Sequence, residues 1–385
     1  MIMKSRVLSL IVVVFVCGSV LGGESLATTD SGDNAALLYL KAVEQYEPTD
    51  DMINSLIKLR KGDIGLNDEI KEFVQKNKCV IDTVVEASKI EKCDWGLDKS
   101  VNFDMGKLPL AKIRGIVHLI NADAMILAEK GEYESAMSRY VCIYKIASHV
   151  NGSYIVSYLV GTHLNSVANM GLIRLLSDME INVKTLEMFQ DKLSEIDSIG
   201  FSIEPSWEFE KRMTCSYFTL ENVDGLAKDL GMPEIKEKVL GENEAFFAKN
   251  RACWNRAMDD VKAAFGLGYP EAFAKIEQVT NEVRKDVMRT EAPLVGLFFP
   301  ACERIYSLDI KCRNEYNAVK AGAAVYMIKA KSGKLPDSLP VGLPVDLFSG
   351  KDFEYKKSGD GFVLKCVGKD LSKDEIYEYK FKVKD

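Results

Sequence analysis

The chain has 385 residues, 47% of them hydrophobic and 28% charged, and its 50 lysines and arginines are outnumbered by 57 aspartates and glutamates for a formal charge of −7. These proportions exclude wholesale disorder and a polytopic membrane protein. An acidic chain with no basic block also lacks the electrostatic footprint of a nucleic-acid binder.

The first two dozen residues carry a clear compartment signal. Lys4 and Arg6 precede an apolar run over 7–22, and small or polar residues follow (Gly23, Glu24, Ser25, Leu26, Ala27). That order predicts a secretory signal peptide over 1–27, with cleavage expected after Ala27. The run is shorter than the about 20 residues that a membrane-spanning helix needs, so an uncleaved anchor is the alternative. Val14, Phe15 and Val16 precede Cys17 where a lipidation site would have small residues. The protein is therefore expected to be exported, periplasmic or extracellular, with no stable membrane span after cleavage. The eight cysteines beyond the leader permit disulfides in such a compartment, but most fall within apolar helical patterns and read as small hydrophobes. Cys302 and Cys312 share one predicted helix, about 15 Å apart, too far to bridge.

Residues 34–330 read as helix after helix. Asp33 or Asn34 caps the first, over 34–47, with Leu37, Leu38, Leu40, Val43 and Tyr46 on one face. Asn67 caps a second long segment carrying Ile70, Phe73, Val74, Val80, Ile81 and Val84 at the same rhythm. Gly96, Gly106 and Pro109 mark 92–110 as a loop. A hairpin follows, 110–130 and 133–150, with Gly131 as its C-cap residue, and then helices over 154–179 and 183–196. Residues 197–270, punctuated by glycine and proline, predict shorter helices. Phe273, Ile276, Val279, Val283 and Val287 restore a clean stripe. A last helix runs from about Cys302 to Ala330, and its Gly322 predicts a closely packed neighbour.

At Ser332 the period changes to two. Residues 352–357 and 362–367 flank the turn Ser358-Gly359-Asp360-Gly361, and Tyr377, Tyr379, Phe381 and Val383 alternate with charged residues. The expected architecture is mainly α: an antiparallel array of helical hairpins over 28–331, with a small antiparallel β module over 332–385 packed on the last helix.

Two stretches resemble known groups. Asn34-Ala35-Ala36-Leu37-Leu38-Tyr39, Cys93-Asp94-Trp95-Gly96, Leu108-Pro109 with Arg114, Gly131-Glu132-Tyr133-Glu134-Ser135-Ala136, Ala147-Ser148-His149 and Leu159-Val160-Gly161 occur in the order seen in exported helical proteins of planctomycete-type bacteria. That resemblance covers residues 34–178 and implies no activity. The tail is similar to the C-terminal part of pseudopilin-like proteins through Leu335-Pro336-Asp337-Ser338-Leu339, Asp346-Leu347-Phe348-Ser349-Gly350-Lys351 and Asp360-Gly361-Phe362-Val363-Leu364. It departs at Leu347, where the family has proline, and at Lys369-Asp370, where an acidic calcium-type loop is reduced. A pilin's methylation helix is missing, so fibre assembly is not implied.

The chemistry-bearing residues are few. No G-x-S-x-G, P-loop, G-x-G-x-x-G or C-x-x-C motif occurs. The three histidines, His118, His149 and His163, form no H-x-x-x-H pair, and no metal or cofactor is expected. His118 and His149 stand on opposite arms of the predicted hairpin, in a position to converge. In the loop Cys93–Asp98, Asp94 and Asp98 beside Trp95 suit a polar ligand or acid catalysis, although an Asp cap with a core-filling Trp is the preferred structural reading. Glu208 and Glu210, with Glu208 four residues from Arg212, offer a second carboxylate pair. Trp95, Arg114 and His149 are the candidate ligand-binding residues. Gly131–Ala136 resembles a tetratricopeptide turn, but no second copy lies at its period. The leading expectation is a non-catalytic protein of the cell envelope that binds an envelope protein or a small polar ligand. The alternatives are an extracytoplasmic hydrolase using paired carboxylates and a receptor with a pocket between helices.

Overall fold

Capping residues set the first helices of the chain. In the computed structural model, which describes residues 33–96, 108–152, 154–229, 239, 241–285 and 290–383, Asn34 begins α1 (Ala35–Gln45) by accepting from the Ala36 amide. Thr49 and Asn67 do the same for α2 (Asp50–Lys61) and α3 (Asp68–Lys76). The single long segment expected after Asn67 is in fact two helices. Asn77 donates to the Phe73 carbonyl at 2.9 Å, and α4 (Lys78–Ser88) starts afresh beyond it. The leader over 1–27, Asp98, Gly106 and Val287 lie outside the described residues.

The centre is the hairpin α5 (Leu110–Glu129) and α6 (Tyr133–Val150). Gly131 adopts φ +77°, a left-handed conformation suited to glycine. The Glu132 amide then reaches the Leu127 carbonyl at 2.9 Å and Gly131 that of Ala128 at 3.0 Å, closing the helix end. Between the arms, Arg139 donates to Asp123 at 2.6 Å with both side chains largely buried. α7 (Ile155–Asp178) packs against both arms, and α8 (Val183–Asp197) returns along α6. The irregular middle contains α9 (Glu204–Tyr217), α10 (Leu220–Asp229) and α11 (Glu244–Lys262), followed by α12 (Tyr269–Arg284) and the short α13 (Pro293–Phe298).

The last helix, α14 (Cys302–Ser332), lies along α7, α8 and α12. Tyr158 of α7 donates to buried Asp309, and Asn169 donates to the Cys312 carbonyl at 3.0 Å. The tail forms a three-stranded antiparallel meander, β1 (Glu354–Ser358), β2 (Gly361–Lys365) and β3 (Glu378–Lys382), in the order β1-β2-β3. Its inner face presents Phe362, Leu364, Tyr379 and Phe381, each contributing about 1.5–3 kcal/mol by burial. A Cβ at Gly322 would fall 2.5 Å from the Phe381 ring, so glycine there lets the sheet close on α14. Asn314 fastens the same joint, accepting from the Leu347 amide at 2.7 Å and donating to the Tyr379 hydroxyl at 3.3 Å. Fully buried Asp346 accepts from the amides of Phe348, Val367 and Gly368 and from the Ser349 hydroxyl. One contiguous core joins the tail to the helices. The molecule is thus mainly α, with a small antiparallel sheet at its C-terminal end.

The eight described cysteines are free thiols, and Cys142, Cys253, Cys302, Cys312 and Cys366 are buried. Burial pushes Cys142 up to about 11 and Cys366 up to about 12, which suppresses thiolate reactivity.

Candidate functional site

The loop containing Asp94 is strapped to the start of α1. The Asn34 side chain accepts from the Asp94 amide and donates to the Asp94 carbonyl, both at 2.8 Å, and the Ala35 amide reaches the Lys92 carbonyl. The Asp94 carboxylate accepts from the Gly96 amide at 3.0 Å, closing an Asx turn. This swings Trp95 inward until only 7% of it is exposed. Its indole N–H donates to the His149 carbonyl at 2.8 Å, and its ring stacks on Tyr39 with centroids 5.8 Å apart. Tyr39 and His149 Nδ1 share a further hydrogen bond of 2.9 Å. Burial, aided by Lys145, pushes His149 down to about 4, so the imidazole is neutral at pH 7. The void beside Tyr39, walled by Val43, Val84, Ile113, Ile116 and Ile146, measures about 10 Å³, at the lower limit for one water. Trp95 and His149 therefore meet in a filled knot, with Asp94 closing the loop at its exposed edge. Arg114 does not join them, and Asp98 lies outside the described residues.

Glu208 and Glu210 diverge. Glu208 pairs with Lys262 of α11 at 2.8 Å, in place of the expected Arg212. Glu210 turns to α7 and accepts from the Ile155 amide at 3.3 Å, at the positive end of that helix. Desolvation raises its pKa, and that hydrogen bond opposes the rise. Two positions apart on a helix point in nearly opposite directions, so these carboxylates serve two different neighbours. Arg212 lines an open surface groove of about 510 Å³ with Cys215, Arg251 and Asn255.

Arg114 belongs to a second group assembled from four helices. It lies one turn from His118 on α5, and the His118 ring meets that of His163 on α7 edge-on at 5.9 Å. Arg60, in the last turn of α2, and Glu315, on α14, border the same group. Burial, with the His163 ring and the Arg60 and Arg114 guanidiniums, pushes His118 down to about 3, and burial with the same two guanidiniums pushes His163 to about 4. Burial raises the Glu315 carboxyl, which approaches Lys311 only at 3.9 Å. Arg60 Nε, Arg114 Nε, His118 Nδ1, His163 Nε2 and Glu315 Oε2 are buried atoms with no hydrogen-bond partner. Sequence inspection nominated Arg114 alone from this set and set His118 beside His149. The structure instead pairs His118 with His163, because α7 packs along the inner face of α5. The i, i+4 spacing of Arg114 and His118 was the one local signal available.

Among the described residues there is no group of three or more His, Cys, Asp or Glu side chains placed to hold a metal ion. No described helix is long and apolar enough to cross a membrane. The chain matches no protein family, no curated sequence and no solved structure.

Proposed function

We propose that this chain is an exported, non-catalytic binding protein of the cell envelope. The leader sequence supports export. The observation that carries the non-catalytic reading is the use made of the nominated groups. Asp94 closes a turn, Glu208 pairs with Lys262, Glu210 caps α7, and Trp95 with His149 fills the space between helices. A hydrolase of the paired-carboxylate kind needs two carboxyls facing one cleft about 5–9.5 Å apart, and Glu208 and Glu210 face different helices. The receptor alternative gains support from the partnerless atoms around Arg114.

The test is a turnover assay of the purified protein on envelope glycans, peptides and esters, run beside cross-linking in intact cells. The expected result is no activity that Asp94→Asn, Glu208→Gln or Glu210→Gln lowers, together with a reproducible cross-link to one envelope component. Turnover abolished by Glu210→Gln would establish the hydrolase reading instead.

A further inference from the structure

The Arg60–Arg114–His118–His163 group is chemically one-sided. Two guanidiniums bring two positive charges, and among the described residues the carboxyl that borders them, Glu315, is held up by burial and offsets one at most. Neither arginine is hydrogen-bonded to a carboxylate among the described residues, whereas Arg139 on the next helix is paired with Asp123 through its Nε. His118 is 4% exposed and Glu315 3%, while Arg60, Arg114 and His163 keep part of their surface in solvent. The group thus has a buried floor and a wet rim. Buried polar atoms left without partners are destabilising; an anion would offer acceptors to the four nitrogens of this group, whereas Glu315 Oε2, itself an acceptor, would gain nothing from it.

We infer that these side chains form a binding site for a phosphate-class oxyanion, either free or as the phosphoryl group of a small metabolite. Donors arrive from three helices, Arg60 from α2, Arg114 and His118 from α5, and His163 from α7. Donors converging from several directions suit a tetrahedral anion better than a planar carboxylate, for which one guanidinium fork suffices. A neutral imidazole still offers one N–H, so all four side chains donate at pH 7. The site is separate from the Trp95 knot and does not depend on a protein partner: it stands or falls by anion binding alone.

The experiment is calorimetric titration of the purified protein at pH 7 and low salt with inorganic phosphate, sulfate, glycerol phosphate and succinate. The expected result is one-site binding of phosphate, comparable binding of sulfate, and succinate weaker by about tenfold or more. Glycerol phosphate binding more tightly than phosphate would mark a phosphoryl metabolite as the source, and the reverse order would mark the free anion. Arg114→Gln and Arg60→Gln should each weaken phosphate by about tenfold. Should either variant unfold, the unmodified chain supplies a second readout. On adding phosphate, the imidazole NMR signals of His118 and His163 should shift and that of His149 should not. No binding up to about 10 mM phosphate, succinate preferred over phosphate, or a shift confined to His149 would overturn the proposal.

Discussion

Two histidine groups occupy the same helical core and follow opposite rules. Around His149 the bonds interlock: Trp95 donates to its carbonyl, Tyr39 bonds its Nδ1, and Asn34 and Asp94 close the loop above. Around His118, buried nitrogens of two arginines and two histidines go without partners. Exposure does not separate the two, since both combine buried and half-buried residues; hydrogen-bond satisfaction does. A satisfied polar group specifies a fold, whereas an unsatisfied one weakens it and persists where something else is gained. The sequence drew attention to the first group through its tryptophan, and the second holds the stronger indication of a ligand.

The largest test of this contrast is Trp95→Ala. Removing the indole opens a cavity beneath the 93–96 loop and leaves the His149 carbonyl without its donor, so stability should fall by about 3–5 kcal/mol in denaturant titration. A loss below about 1 kcal/mol would mean that Trp95 is not structural.

Acid comes next. All three histidines have folded pKa values depressed from 6.5, to about 3 for His118 and about 4 for His149 and His163. The unfolded chain therefore binds protons that the native protein refuses. Stability is fully present above pH 6.5 and is lost as the pH falls from 6.5 through the folded values, by about 3 kcal/mol for each ring by pH 4. His149 faces Tyr39, Trp95 and Lys145. Sulfate, which does not titrate in this range, should reduce the part of the acid loss due to His118 and His163, because a bound anion favours their protonation. It should leave the part due to His149 unchanged. A sulfate effect that vanishes in His149→Gln and survives in Arg114→Gln would reverse the comparison.

What the sequence disclosed follows from the range of each interaction. Helix α6 and the α5–α6 turn were legible because Gly131 and a strong apolar rhythm act locally, and the Gly322 contact was legible because a glycine in a long helix asks for a neighbour. Helix α2 was missed as a separate element: Met52, Leu56 and Leu59 supply its buried face, and charged residues dominate the rest. The break at Asn77 was missed because the apolar residues on either side keep helical spacing across it. An Asp cap with a core-filling Trp could be read from the loop itself, but its junction with His149 depends on Asn34 and Tyr39, which one-dimensional spacing does not connect to it. The second group was almost invisible, since Arg60, Arg114, His163 and Glu315 come from four helices and converge only when α7 is laid between α5 and α14.

The smallest expected effect gives the sharpest discrimination. Tyr39→Phe removes one hydroxyl and strands His149 Nδ1, which should cost about 1–2 kcal/mol. His118→Leu removes a buried ring whose Nδ1 bonds to nothing and replaces it with an apolar group of similar size. Little beyond the edge-on contact with His163 is lost and a desolvated polar atom disappears, so thermal stability without added anion should change by less than about 0.5 kcal/mol, or rise. The same substitution removes one of the four donors proposed for the oxyanion, so the rise in Tm on adding phosphate should shrink in His118→Leu and remain in Tyr39→Phe. If His118→Leu instead unfolds the protein as readily as Tyr39→Phe weakens it, His118 is a structural histidine whose contacts matter more than its missing partner, and the distinction between the two groups fails.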